Sequence, residues 1–206
     1  MFTNSFLMID LDGTLIDSDP AHFEAYKKTF AQFGKELTWK EFEETIHVTS
    51  FEDLYKKKGF SESDFKMLKQ IKKEYFKQTE TVFFIPGAEK FLQKCLAKNV
   101  NFVIVTNTGK EVIEFIKSKQ PLLHKCKIIV REDYKEPKPN PECYKKAKEL
   151  YWKGEKGIIG FENTVNGYKA LKEVSDIQYF IKKNIEPSQN KSTIIISDFM
   201  NLLQEL

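Results

Sequence analysis

The chain has 206 residues, 41% of them hydrophobic, with 33 Lys plus Arg against 30 Asp plus Glu for a formal charge of +3. That length suits one domain with a large insertion or two small domains, and a core of this size folds without a disulfide or metal staple. The small charge and the lack of a long Lys/Arg run give no basis for a nucleic-acid partner, and no apolar run approaches the roughly 20 residues of a membrane span.

Cys95, Cys126 and Cys143 show no CxxC spacing and are odd in number, which suits a reducing compartment. Met1–Met8 lacks the charged start and apolar length of a signal peptide, so a cytoplasmic location is expected. Arg131 is the only arginine; nearly all positive charge is lysine, a point charge rather than a bidentate phosphate clamp.

In chain order, the first predicted strand is Phe6–Ile9, all apolar. From about Asp17 to Phe84 the pattern is helical. Asp19-Pro20 opens a helix that Gly34 ends, Thr38-Trp39-Lys40-Glu41 is a capping box, Ser50 opens a short helix that stops near Gly59, and Ser61 caps one running to about Thr79. Pro86-Gly87 marks the return to alternating elements. Further apolar strands follow at Phe102–Val105, Ile128–Val130, Gly157–Phe161, Ile177–Ile181 and Thr193–Ile196, with helical stretches between most of them. Such alternation predicts an α/β fold, a Rossmann-like parallel sheet core of residues 1–16 and 85–206 carrying an inserted helical cap at 17–84.

Chemistry-bearing residues recur at the carboxyl ends of these strands, where α/β proteins bind ligands. Asp10-Leu11-Asp12-Gly13-Thr14 follows the first strand; carboxylates at i and i+2 can share a divalent cation or divide nucleophile and acid–base roles, and the same residues fit a plain β-turn. Thr106-Asn107-Thr108-Gly109 offers a hydroxyl and N–H groups to phosphate oxygens, or simply caps a helix. Glu136-Pro137-Lys138-Pro139 holds a lysine in an extended segment that either enters the site or remains in solvent. Glu162-Asn163-Thr164 supplies a candidate metal carboxylate, or caps the next helix.

Taken together and in order, these four stretches resemble the haloacid dehalogenase superfamily, specifically its helical-cap branch of phosphoglycolate phosphatase and β-phosphoglucomutase-like proteins. The likeness runs from about Phe6 to the C-terminus, and Asp19-Pro20-Ala21-His22 resembles the start of that branch's cap. The resemblance implies a Mg²⁺-dependent phosphatase for a small phosphorylated metabolite, a sugar or polyol phosphate. Asp10 would attack phosphorus, Asp12 would act as acid and base, and Thr106, Asn107 and Lys138 would hold the phosphoryl oxygens. Mg²⁺ would be held by Asp10, the Asp12 carbonyl and the Glu162/Asn163 loop. The partner is then a small molecule, with no nucleic acid or membrane, and a monomer is expected.

Two departures stand out. Asn163-Thr164 occupies the place where this branch usually carries Asp-Ser, removing one negative charge from the metal loop, so Mg²⁺ affinity should fall. The alternatives are a nearly silent binding protein, or another acid filling the role. In the cap, Thr49-Ser50-Phe51-Glu52-Asp53 covers the region where mutase-like relatives place an arginine, with Phe51 at that position. An arginine-free cap favours a monophosphatase over a phosphomutase, unless lysines such as Lys56–Lys58 substitute. His22 and His47 are candidates for the cap's lining or for plain structural roles, and the many cap phenylalanines read as the cap's own core.

Overall fold

Continuous apolar runs with no polar face, such as Phe6-Leu7-Met8-Ile9, form strands that helices cover on both sides. In the computed structural model, which describes residues 2–46, 51–80, 82–181 and 192–206, strands and helices follow in this order. They are β1 (Phe6–Ile9), β2 (Ile16–Asp17), α1 (Asp19–Ala31), α2 (Trp39–Ile46), α3 (Phe51–Lys57), α4 (Phe65–Phe76), β3 (Phe83–Phe84), α5 (Ala88–Ala97) and β4 (Phe102–Val105). After these come α6 (Lys110–Lys119), β5 (Ile128–Ile129), α7 (Glu142–Tyr151), β6 (Ile158–Glu162), α8 (Val165–Lys172), β7 (Ile177–Ile181) and β8 (Thr193–Ile196). The chain divides into two units, one of Met1–Asp17 with Phe83–Leu206 and one of Ser18–Val82.

The larger unit is an α/β fold with a Rossmann-like sheet in the order β5-β4-β1-β6-β7-β8, every neighbouring pair parallel. The strand order reverses beside β1, between β4 on one flank and β6 on the other, which opens a crevice at the carboxyl ends of these strands. Side chains alternate between two cores. Phe6, Met8, Val103 and Val105 meet Tyr144 and Ala147 of α7 and Leu171 of α8 on one face. The other face is aromatic: Phe161 stacks on Tyr179 with centroids 4.9 Å apart and lies 5.6 Å from Phe91.

The strand expected at Gly157–Phe161 lies one residue later, so Glu162 is its last member, paired in register with Phe180. β5 ends before Val130 because the Val130 N–H donates to Asp133 Oδ2 at 2.9 Å, starting a short 3₁₀ turn. An antiparallel ribbon, Ile16–Asp17 against Phe84–Phe83, was not expected from the sequence. It brings the two chain crossings side by side.

The smaller unit is helical, built on a core of Tyr26, Phe30, Leu37, Phe42, Leu54, Tyr55, Phe65 and Leu68. The capping box at Thr38 is closed in both directions, with Thr38 N–H donating to Glu41 Oε2 at 2.9 Å and Glu41 N–H to Thr38 Oγ1 at 3.3 Å. The helix expected from Ser61 starts as a 3₁₀ turn, Glu62–Asp64, before α4. His22 is buried, its ring 4.5 Å from Phe76 and its Nδ1 2.6 Å from Lys72 Nζ. His47, Thr49 and Ser50 lie outside the described residues. Among the described residues no helix is long and apolar enough to cross a membrane.

Candidate active site

Asp10 is the first residue past β1, and its N–H still donates to Phe161 O at 3.0 Å, so the end of the sheet fixes its backbone. Beyond it the chain turns at Gly13, φ +75°, and Leu11 O accepts the N–H groups of Thr14, Leu15 and Ile16. A Cβ at position 13 would clash with Asn163 Nδ2, so glycine serves both the backbone angle and this close approach. The turn sets Asp12 opposite the end of β4. There its Oδ2 accepts from Thr106 Oγ1 at 3.1 Å and from Thr108 Oγ1 at 2.7 Å.

Lys138 supplies the central charge. Its Nζ donates to Asp10 Oδ1 at 2.7 Å, Glu162 Oε1 at 2.7 Å and Val105 O at 2.9 Å, which uses all three of its protons. Tyr134 and Asn107 hold the backbone that delivers it: Tyr134 OH lies 2.8 Å from Thr106 O and 2.7 Å from Asn107 Oδ1, and Asn107 Oδ1 accepts from Lys138 N at 3.2 Å.

Glu162, fully buried at the end of β6, is saturated by the protein. Oε1 accepts from Lys138 and from Tyr144 OH at 2.7 Å. Oε2 accepts from Asn163 N at 3.1 Å and, at 3.4 Å each, from the N–H and hydroxyl of Thr164. Thr164 also caps α8, accepting from Gly167 N at 3.0 Å, and Gly167 must lack a Cβ because one would strike the Glu162 carboxylate. Asn163, also buried, accepts from Thr14 Oγ1 at 3.2 Å through Oδ1, while its Nδ2 has no hydrogen-bond partner.

Three carboxylates against one ammonium leave this cluster with surplus negative charge. Burial, then Glu162 and Asp12, push the Asp10 carboxyl up to about 7, with Lys138 opposing. Burial works against the Lys138 ammonium, yet Asp10 and Glu162 hold its pKa well above the ordinary lysine value. Burial and Glu162 likewise keep Tyr144 protonated as a donor.

The structure therefore brings Asp10, Asp12, Thr106, Asn107, Lys138, Glu162 and Asn163 together at one sheet edge. Lys138, expected to neutralise phosphate and carboxylates, bonds to the carboxylates of Asp10 and Glu162, and Glu162, the candidate metal carboxylate, is one of its partners. Thr14, Thr108, Tyr134 and Tyr144 were not singled out. Of these only Thr108 carried a signal, a second hydroxyl two residues past Thr106.

Among the described residues no cluster of three His, Cys, Asp or Glu side chains forms a metal cage. The remaining oxygens nonetheless suit Mg²⁺, which takes one or two carboxylates and completes its shell with water and phosphate. Asp10 makes its side-chain hydrogen bond through Oδ1 alone. Asn163, whose Nδ2 alone lacks a partner, offers a neutral oxygen after a half-turn of its amide, and the surplus negative charge favours a cation.

A parallel sheet with an acid pair, hydroxyls and a buried lysine at its switch point defines a Rossmann-like enzyme core of the phosphoryl-handling kind. The chain belongs to the haloacid dehalogenase-like hydrolases, whose family model matches residues 7–175. It is similar to a phosphorylated carbohydrates phosphatase of Thermotoga maritima, 25% identical over 81% of this chain and 79% of that protein. In fold it is similar to a candidate phosphoglycolate phosphatase from Lactobacillus plantarum, with a TM-score of 0.86, 18% identity and full coverage of both chains. It is also similar to CbbY from Rhodobacter sphaeroides, solved in complex with phosphate, with a TM-score of 0.80 and 17% identity over 96% of each chain.

Proposed function

We propose that this protein is a Mg²⁺-dependent phosphatase that hydrolyses a small phosphate monoester, a phosphorylated sugar or polyol, through a phosphoaspartate on Asp10. The observation that carries the reading is the pairing of two carboxylates held for different tasks. Asp10 is buried and gripped through Oδ1 by Lys138, while Asp12 is tethered by two hydroxyls two residues on. The relative from Thermotoga maritima, named for phosphorylated carbohydrates, supports the substrate class.

In the first step an Asp10 oxygen forms a bond to phosphorus, the ester P–O bond breaks, and the leaving oxygen takes a proton from Asp12. In the second, Asp12 takes a proton from water as that water attacks the phosphoaspartate, releasing phosphate and restoring the Asp10 carboxylate. Lys138 acts through its field, holding Asp10 in place and offsetting charge. Thr106, Thr108 and Asn107 border the phosphoryl oxygens from the end of β4. Mg²⁺, held by Asp10, the Asp12 carbonyl and Asn163, would stabilise the charge on the transferring phosphoryl group.

The test is p-nitrophenyl phosphate hydrolysis with Mg²⁺ and with EDTA, for wild type and Asp10→Asn, followed by a panel of sugar and polyol phosphates. Metal-dependent turnover abolished by Asp10→Asn is expected. No turnover on any ester would refute the reading in favour of a binding protein, and a requirement for a sugar bisphosphate would refute it in favour of a mutase.

A further inference from the structure

Arg131 is the only arginine in a chain whose other strong cations are all lysines, and it opens the 3₁₀ turn after β5. Among the described residues it forms no ion pair. Its guanidinium instead serves two consecutive carbonyls, Nη1 donating to Tyr134 O at 2.7 Å and Nη2 to Lys135 O at 2.8 Å, and its Cζ lies 5.2 Å from the centre of the Tyr134 ring. The segment it grips, residues 134–138, belongs to no helix or strand, so side chains supply the backbone partners that a ladder would give. Glu142 accepts from Lys135 N at 3.0 Å and Glu136 N at 2.8 Å, and Asn107 Oδ1 accepts from Lys138 N at 3.2 Å. Tyr134, buried, then crosses to the end of β4, where its hydroxyl reaches Thr106 O and Asn107 Oδ1.

We propose that Arg131 and Tyr134 are positioning residues, a brace that sets the lysine segment against the hydroxyl loop after β4 and thereby sets Asp10 against Asp12. The inference rests on the phosphatase reading and deepens it. Each loop holds one of the two carboxylates: Lys138 Nζ grips Asp10, while Thr106 and Thr108 grip Asp12. The turn that carries Arg131 is bound to the hydroxyl loop as well, with Arg131 N donating to Thr108 O at 3.1 Å and Lys110 N donating to Glu132 Oε2 at 2.8 Å. Arginine suits the join because its planar fork meets two carbonyls at once and packs against an aromatic ring, whereas a lysine ammonium is a single point. With either link loosened, each carboxylate keeps its own partner but the two lose their fixed separation. The proposed reaction needs both on one phosphoryl group, and a misplacement of about 1 Å there costs about 100-fold in rate.

The experiment compares the full chain as wild type, as Tyr134→Phe, which keeps the ring, as Arg131→Lys, which keeps the charge, and as the double variant. It measures p-nitrophenyl phosphate kinetics in Mg²⁺ and, by NMR, amide hydrogen exchange at Lys138, with Met8 of the central strand β1 as reference. Each single variant should lower kcat by about tenfold or more with KM held within about threefold. The double variant should fall no further than the worse single one, since both act through one connection. Exchange at Lys138 should quicken by about tenfold or more in each variant while Met8 is unchanged, which separates loosening of this segment from loss of the fold. Additive losses, or an unchanged Lys138 amide, would overturn the inference. Faster exchange at Lys138 with kcat at the wild-type level would sink this inference alone, leaving a structural link, whereas no turnover by the wild type on any ester would sink the phosphatase reading and the brace with it.

Discussion

Replacing Asp10 with asparagine should stabilise the metal-free protein at neutral pH while abolishing turnover. Asp10 is 6% exposed, and burial together with Glu162 and Asp12 raises its carboxyl from 3.8 to about 7. A raised carboxyl means the folded state holds the proton more firmly than the unfolded state. Stability from this group is therefore fully present below about 4 and is lost as pH climbs toward about 7. At about 1.4 kcal/mol per tenfold change in proton affinity, the loss has a ceiling of about 4 kcal/mol at pH 8.

Asparagine keeps an oxygen for Lys138 but exchanges an ion-paired hydrogen bond for one from the ammonium to a neutral oxygen, a loss of about 1–2 kcal/mol. The net gain at pH 8 is then about 2 kcal/mol, or a rise of roughly 4–8 °C in Tm for a chain of this size. Urea and thermal unfolding in EDTA, at pH 5 and pH 8, would measure it, with the variant's advantage large at pH 8 and much reduced at pH 5. A variant less stable than wild type at pH 8, or an advantage independent of pH, would refute the electrostatic argument.

Tyr144→Phe keeps the ring 4.8 Å from Lys138 Nζ and removes only the hydroxyl that donates to Glu162. It should cost about 1–2 kcal/mol of stability and lower kcat several-fold with little change in KM, as steady-state kinetics on p-nitrophenyl phosphate would show. Thr108→Val should lower kcat by about tenfold, in keeping with a loosened acid–base group, and Thr108→Ser should restore it; equal losses in both would place the effect in packing rather than in the bond to Asp12. Gly167→Ala should destabilise the core unit by about 1–3 kcal/mol in urea unfolding, because the new methyl strikes the Glu162 carboxylate.

Much of the site was legible because strand ends are local signals. Asp10, Thr106 and Glu162 each follow or end an apolar run, and parallel strands in one sheet bring such ends together whatever lies between them. Partner choice was not legible. Tyr144 reaches Glu162 from α7 because even-numbered residues of β6 face that helix, a consequence of register that spacing alone does not reveal. The β2–β3 ribbon joins Ile16–Asp17 to Phe83–Phe84 across the whole helical unit with two residues on each side, too few for any periodicity to show. Asn163 was visible as a departure from the family pattern, but its weight depended on Glu162 being already engaged.

That engagement reshapes the charge argument. Had Glu162 faced the metal, the loss of an acid at residue 163 would be a modest reduction in an acidic loop. With both Glu162 oxygens occupied, its charge serves to raise the proton affinity of Asp10 and to hold Lys138 cationic. Asp10 is thereby kept in an environment that disfavours its ionised form. Lys138 cannot supply more, since its protons are spent, and Arg131 lies in the turn after β5, its guanidinium donating to Tyr134 O and Lys135 O. Within this cluster no further positive charge is at hand, so on the proposed function the ionisation of Asp10 would be linked to the binding of a cation.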